Sequence, residues 1–296
     1  MPVLLTFGGG GQVAAALPGA SPPGWHVRAL GRDAADITRP AEVAAALDAA
    51  RPAAIVNAAA YTAVDRAESE PERAAAANRD GARIVAEACA ERRLPLIHLS
   101  TDYVFDGRKI GPYREDDPVA PLGVYGRSKA EGEAAVRAAG GCHVILRTSW
   151  VYGPVGQNFV RTMLRLGRER PELRVVDDQS GSPTSTADLA DAILVIARRL
   201  AEGEGAGTGT FHFCGGGVTT WYRFAQAIFG EAARHGYPLP RLTPITTAGY
   251  PTAARRPANS ALDCSRIARV YGIRPRPWRE ALGRCIDRIA ASGDLA

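Results

Sequence analysis

Along the first half of the chain, short, mostly apolar runs alternate with longer alanine-rich stretches. The runs are Val3–Phe7, Val27–Leu30, Ala54–Val56, Leu96–Leu99 and His143–Leu146. Between or after them lie Gln12–Leu17, Ala41–Ala50, Glu72–Arg92 and Ser128–Ala139. Runs this short and largely apolar read as strands buried on both faces, and the alanine-rich stretches as the helices that cover them. The alternation predicts an α/β fold, a doubly wound parallel sheet of the Rossmann type. Beyond Val151 it breaks down. Asn158–Arg168 and Trp221–Gly236 are expected to be helical, and Thr186–Leu200 to be a strongly amphipathic helix. A glycine-rich turn and a short strand, Thr210–Cys214, follow that helix. Pro238–Pro257 is rich in proline and is expected to be loop.

Such sheets bind ligands at the C-terminal ends of their strands, and here those ends carry chemistry. Val3–Phe7 runs into Gly8-Gly9-Gly10-Gly11, and Gly8, Gly11 and Ala14 keep a G-x-x-G-x-x-G/A spacing. Small residues there let the backbone approach a pyrophosphate, which then sits on a helix N-terminus. A glycine linker is the competing reading, but a linker would not fall between a strand and a helix. The second strand ends Leu30-Gly31-Arg32-Asp33, with no acid directly after it. Arg32 is therefore expected to pair with a 2′-phosphate, which favours NADPH over NADH. Asn57-Ala58-Ala59-Ala60 leaves space for a nicotinamide ribose, or equally allows tight packing under a helix. Ser100-Thr101-Asp102 places a hydroxyl where it can reach a substrate carbonyl. A helix cap is the alternative there, but Tyr103-Val104-Phe105-Asp106-Gly107 does not resume a helical pattern.

Arginine supplies every basic side chain except Lys109 and Lys129. Lys129 belongs to Tyr125-Gly126-Arg127-Ser128-Lys129, a Y-x-x-x-K spacing that puts phenol and ammonium on one helical face. A free phenol has a pKa near 10 and exchanges protons poorly at neutral pH. A cation one turn away is expected to lower that value and make Tyr125 a usable acid or base. Alone, two fixed residues match often by chance. Here they accompany a dinucleotide loop.

Composition narrows the class. The 296 residues leave room for one large domain or two lobes sharing a cleft. No apolar run approaches the roughly 18 residues of a membrane span, and the start lacks the basic segment of a signal peptide. The five cysteines are scattered, odd in number and without C-x-x-C, which suits a reducing cytoplasm and argues against a zinc site. The net charge of +5 is spread over scattered arginines, so neither nucleic acid nor membrane is an expected partner.

These strings together resemble the extended short-chain dehydrogenase/reductase family, and within it the dTDP-4-dehydrorhamnose reductases. The resemblance spans nearly the whole chain. It rests on Gly8-x-x-Gly11-Gln12-Val13, on Asn57 to Asp65, on Ser100 to Gly107 and on Tyr125 to Lys129. It continues through Arg147 to Tyr152, Asp178 to Thr184 and Arg256 to Asp263. The resemblance implies reduction of the 4-keto group of dTDP-4-dehydro-β-L-rhamnose to dTDP-β-L-rhamnose with NADPH. By it, Thr101, Tyr125 and Lys129 form the catalytic set. Gly11, Gln12 and Val13 contact the pyrophosphate region, Asp36 and Ile37 the adenine side, and Ala58, Ala59 and Ala60 the nicotinamide half. Thr62, Val64, Asp102, Tyr103 and Trp150 form the sugar pocket, although Trp150 equally suits a core. Arg256 and Asn259 reach the dTDP diphosphate, which rewards guanidinium contacts. Residues 1–150 plus about 186–218 would bind the cofactor, and about 151–185 plus 219–296 the sugar nucleotide.

Some family members dimerise through magnesium held by glutamates, but the matching positions are Ala16 and Ala187, which cannot ligate a hard cation. Magnesium is therefore not expected, and a monomer or weak homodimer is. Dehydratases of the family carry Asp-Glu after the active-site threonine, whereas Asp102 precedes Tyr103 here. A 4-ketoreductase for another dTDP-deoxysugar remains an alternative. So does a non-catalytic regulator resembling that of methionine adenosyltransferase, against which an intact Thr101, Tyr125 and Lys129 speak.

Overall fold

The structure is a computed structural model that describes residues 1–21, 24–203 and 207–294. Residues 204–206 of the predicted glycine-rich turn lie outside that set. In chain order come β1 (Val3–Phe7), α1 (Gln12–Ala20), β2 (His26–Leu30), α2 (Pro40–Ala50), β3 (Ala54–Asn57), α3 (Val64–Ala67), α4 (Pro71–Ala75), α5 (Gly81–Glu91), β4 (Leu96–Thr101), α6 (Val124–Ala138) and β5 (His143–Thr148). The chain then leaves this layer through β6 (Val151–Tyr152), α7 (Phe159–Glu169), β7 (Glu172–Val176), β8 (Ser180–Gly181) and β9 (Thr184–Ser185). It comes back with α8 (Thr186–Ala201) and β10 (Gly209–His212), and ends with β11 (Thr219–Thr220), α9 (Trp221–Ala233), β12 (Arg241–Ile245), α10 (Ser265–Tyr271) and α11 (Trp278–Ala291).

Six strands pair in parallel in the order β10-β5-β4-β3-β1-β2. Strand side chains point alternately to the two faces, and the apolar runs supply both. Leu4, Val56, Ile97, Val144 and Leu146 pack with α1 and α8 on one side. Leu5, Phe7, Ile55, Leu96 and Ile145 pack with α2, α5 and α6 on the other. Strand order reverses between β1 and β3, and there a doubly wound sheet opens a crevice for ligands. A second core, made by α7, α9, α11 and the parallel pair β7–β12, centres on Tyr152, Phe224, Ile228, Leu282 and Ile286.

The structure corrects three local expectations. First, α6 starts at Val124, four residues earlier than its alanine-rich part, because Glu68 Oε1 accepts the Val124 N–H at 2.9 Å. A carboxylate from another element caps the helix, which no local pattern records. Second, the stretch expected to be loop contains β12, whose Leu242 and Ile245 match β7 in register. Pro244 is tolerated because β12 pairs on one side only. Third, the predicted long helix after Pro71 is interrupted by a π-turn at Ala76–Asp80, a feature common near functional sites. It turns buried Asn78 so that its amide bonds Tyr61 N (2.8 Å), Tyr61 O (3.1 Å) and Ser128 Oγ (3.0 Å). One side chain thus fixes the loop after β3 to α6.

Candidate active site

The crevice between the β1 and β3 ends opens into a cleft of ≈ 510 Å³ that continues along the ends of β4 and β5. Its first wall is the glycine loop. Gly8 has φ +90°, and a side chain there would lie 2.6 Å from Ala59 N, so only glycine lets this loop touch the turn after β3. Gly11 caps α1 and donates to Gly8 O at 2.9 Å, leaving the N-terminal N–H groups of α1 facing the cleft with no acid in the first turn. Gln12 closes the far side: its amide donates to Val151 O (3.2 Å) and accepts from Asn158 (3.3 Å).

The second wall is the β4 end against α6. Gly126 belongs to the Y-x-x-x-K string for a packing reason, since a Cβ there would meet Tyr103 O at 2.1 Å. Tyr103 opens the way to an adjoining pocket of ≈ 690 Å³ that Phe159, Trp221, Arg174, Tyr250 and Arg256 also line. The helix-cap reading of Thr101, disfavoured from sequence, is what the structure adopts. Asp102–Val104 form one 3-10 turn, and Thr101 Oγ1 accepts the Tyr103 N–H at 3.2 Å. A single turn was too short to leave a helical pattern. The Thr101 hydroxyl proton goes to Asp102 Oδ1 at 3.0 Å. Asp102 is buried with Oδ2 unpartnered, and burial pushes its carboxyl up to about 7.

Lys129 is 2 % exposed, and its ammonium donates to Leu99 O at 2.7 Å. Burial pushes it down to about 8. The expected lowering of the tyrosine by this lysine is not found. Burial pushes the Tyr125 phenol up to about 12, and it is a hydrogen bond with Thr101 that pulls the other way. The ammonium is spent on the strand carbonyl, so Tyr125 rests as a neutral acid holding its proton.

Of the predicted site residues, Gly11, Gln12, Val13, Ala58, Ala60, Thr62, Val64, Thr101, Asp102, Tyr103, Tyr125, Lys129 and Trp150 line this cleft. Trp150 has φ +47°, a strained backbone position for a bulky residue. Its ring stacks on Trp221 at 3.5 Å and its Nε1 donates to Ser260 Oγ at 3.1 Å, so it is both wall and core. Gly8 and Ala59 shape the loops without lining the cleft. Arg32 projects beyond the β2 end with its side chain 78 % exposed, bound only through Nε to Asp36 at 2.9 Å.

Four predicted site residues, Asp36, Ile37, Asn259 and Arg256, do not line this cleft. Asp36 accepts from Thr38 N (2.9 Å) and Thr38 Oγ1 (2.8 Å), and Ile37 is buried in the α2–α5 core. Asn259 gives its amide to Lys109 O and Gly111 O, both at 2.8 Å, and so staples a loop. Arg256 lies in the adjoining pocket, held by Asp65 at 2.8 and 3.3 Å. Sequence reading missed Thr148, Ser149, Gly156 and Gln157, which also line the cleft. For Thr148 and Ser149 the position at the β5 end was the available signal, whereas Gly156 and Gln157 come from the loop between β6 and α7; Thr148 Oγ1 is buried without a partner.

Behind the cleft runs a buried polar chain. Arg147 binds Glu133 at 2.7 and 2.8 Å, and its NH1 reaches His212 Nε2 at 3.3 Å while His212 Nδ1 donates to Tyr113 O at 3.1 Å. A guanidinium donating to Nε2 leaves no room for a second imidazole proton. Burial first and Arg147 second push His212 down to about 3. The unfolded imidazole, near 6.5, takes a proton the folded one refuses, so this group loses stability as pH falls below about 6.5. Asp102, raised in the fold, works the opposite way in that window. The urea midpoint of the wild type should therefore fall between pH 7 and 5 relative to His212→Gln. Parallel curves would show that His212 is not held neutral.

Residues 1–291 match the family described as RmlD substrate binding domain. A dTDP-4-dehydrorhamnose reductase of Sinorhizobium fredii is 47% identical over 291 residues, covering 98% of each chain. The dTDP-4-dehydrorhamnose reductase of Bacillus anthracis, solved in complex with NADP, superposes with a TM-score of 0.89 at 36% identity, covering 97% of this chain and 100% of that one. A Streptomyces antibioticus protein named a probable dTDP-4,6-dihydroxy-2-methyloxan-3-one 4-ketoreductase is 44% identical over 269 residues, covering 90% of this chain and 88% of that one.

Proposed function

The chain belongs to the RmlD substrate-binding-domain family, and from that premise we propose that its cleft reduces the 4-keto group of dTDP-4-dehydro-β-L-rhamnose to the alcohol with NADPH. The observation that carries this reading is a pair of adjoining pockets that share Tyr103: one brings together the dinucleotide loop, Thr101, Tyr125 and Lys129, and the other is lined by arginines and aromatics. The residues fit the cofactor: Gly8 and Gly11 leave the backbone bare beside a helix N-terminus. Gly11, Gln12 and Val13 would hold the pyrophosphate, and Ala58 to Ala60 the nicotinamide half. When bound, NADPH supplies the hydride.

The protein's own residues supply the rest. Tyr125 donates its proton to the O4 oxygen as that oxygen becomes an alkoxide, so carbonyl becomes hydroxyl. Lys129 stabilises the phenolate left behind and holds the ribose. Thr101 turns its hydroxyl from Asp102 to the substrate carbonyl. The adjoining pocket takes the dTDP part, with Arg256 toward the diphosphate and Tyr103 between the two compartments. On this reading residues 1–150 and about 186–218 are the cofactor side, and the remainder the sugar-nucleotide side, working in the cytoplasm as a monomer or weak homodimer. Incubation with NADPH and dTDP-4-dehydro-L-rhamnose, with NMR identification of the product, tests the proposal. Recovery of dTDP-L-rhamnose supports it; unchanged ketone, or a different C4 epimer, sinks it.

Cofactor choice gives a separate expectation. Arg32 stands at the β2 end, held by Asp36 through Nε alone (2.9 Å), and its side chain is otherwise exposed. Arg32→Ala should weaken NADPH by about 1–3 kcal/mol, the value of a hydrogen bond to a charged group, and leave NADH unchanged. Fluorescence titration of both cofactors decides it, and equal losses would remove Arg32 from the 2′-phosphate.

A further inference from the structure

The polar chain behind the cleft does more than fill space. Three consecutive residues of β4 meet α6 one turn apart. Leu99 O takes the Lys129 ammonium (2.7 Å), the Ser100 hydroxyl donates to Glu133 Oε1 (2.6 Å), and Thr101 lines the cleft with Tyr125. Glu133 has no exposed surface, and its two oxygens are divided among Ser100, Arg147 and, at the rim, Arg137 (3.4 Å). It also follows Lys129 by four residues on the same helix, so their side chains are neighbours. Two helical turns of α6 thus grip the strand end that carries the threonine.

We propose, on the reductase reading above, that Glu133 is a positioning residue: through Ser100 it fixes the β4 end against α6, and it supplies the carboxylate that balances the buried Lys129 ammonium. Among the described residues, its surroundings offer Lys129 no other such balance. His98 on β4 is buried and neutral, pushed well down by burial. Asp102 lies on the 3-10 turn with its carboxyl raised, and Glu68 is spent on the α6 N-terminus. Arg79 and Asp80 of the π-turn pair with each other near the surface at 2.8 Å. Burial works to raise the Glu133 carboxyl, but Arg147, which faces it from β5, outweighs that and holds it below the usual carboxylate range.

The chain's two lysines make the test direct. In protein labelled with ¹³C-lysine and carrying Lys109→Arg, the one remaining side-chain Cε signal reports the Lys129 titration without substrate. Glu133→Gln should move that midpoint down by roughly one pH unit or more, the effect of losing an opposite charge at helical-neighbour distance. The alkaline limb of kcat should move down with it, and NADPH affinity should change less than about twofold. Glu133→Gln leaves Arg147 without its partner, so Glu133→Gln/Arg147→Met, which removes both charges, is measured beside it. If the double variant is as heat-stable as the wild type and still shows the lowered midpoint, the effect belongs to Lys129. If it restores midpoint and kcat, Glu133 only satisfies Arg147 and the proposal is overturned. Ser100→Ala keeps the ion pair and should slow kcat by about 3–10-fold with the Lys129 midpoint unmoved, as expected for one released hydrogen bond; unchanged kcat removes Ser100 from the argument. A wild type that makes no dTDP-L-rhamnose would overturn the reductase reading, while the lysine titration would stand by itself.

Discussion

Tyr125→Phe should fold, bind NADPH as the wild type does, and reduce dTDP-4-dehydro-L-rhamnose about 10²–10⁴-fold more slowly, the usual worth of a positioned general acid. The substitution removes one oxygen from a side chain that is partly covered and leaves the ring against Tyr103, 5.6 Å between centroids. Cofactor affinity should therefore hold. Because burial keeps the phenol near 12, the wild-type acid stays protonated through the neutral range, and its own titration should not limit kcat there. Stopped-flow oxidation of bound NADPH separates the chemical step from product release. A variant that kept most of its kcat would take the proton from elsewhere, and a regulatory role would become the better account of this cleft.

Lys129→Met should lose activity to a similar extent and weaken NADPH as well. The ammonium is the cation beside the phenolate that forms as the proton leaves, and the proposed ribose contact goes with it. Its position is over-determined: Leu99 O, 2.7 Å away, holds it within the cleft wall. Since burial brings Lys129 down to about 8, the wild type should lose kcat as pH rises past about that value, when the ammonium is discharged. Lys129→Met should keep no such limb. Lys109→Met is the internal control. That lysine pairs with Asp117 outside the cleft, and its loss should leave kcat nearly unchanged. Equal losses from both lysines would mean the assay reads stability, not chemistry.

What could be read in the chain beforehand follows from how local each signal is. Strands β1, β3, β4 and β5 are local: each is a short, mostly apolar run whose residues divide between two faces, as Leu4 and Leu5 do, while β2 is an exposed edge strand. Gly8 is legible because a conformational demand, φ +90°, selects the residue type. The start of α6 was not legible, since its cap, Glu68, is supplied from the turn after α3. Nor was β12, whose reason to be a strand is β7, far earlier in the chain. The tyrosine was legible as an acid and misread in strength. Its spacing to Lys129 is visible in the sequence, but the carbonyl that captures the ammonium is not. Asn259 looked like a ligand residue for the same reason: a polar side chain in a shared string does not show whether its hydrogens are already spent.

The return of the chain to the sheet through α8 and β10 has a consequence for how the protein is made. Strand β5 gains its second neighbour only from Gly209–His212, and the α1 face of the sheet is covered by α8. On the ribosome, the nascent chain must therefore hold an open strand edge and an apolar sheet face until well over half of it has been synthesised. The halves cannot be expressed apart either. A fragment ending at Thr148 would keep every glycine of the nucleotide loop and still present a bare β5 edge to other copies of itself, so aggregation, not a small cofactor-binding domain, is its expected fate.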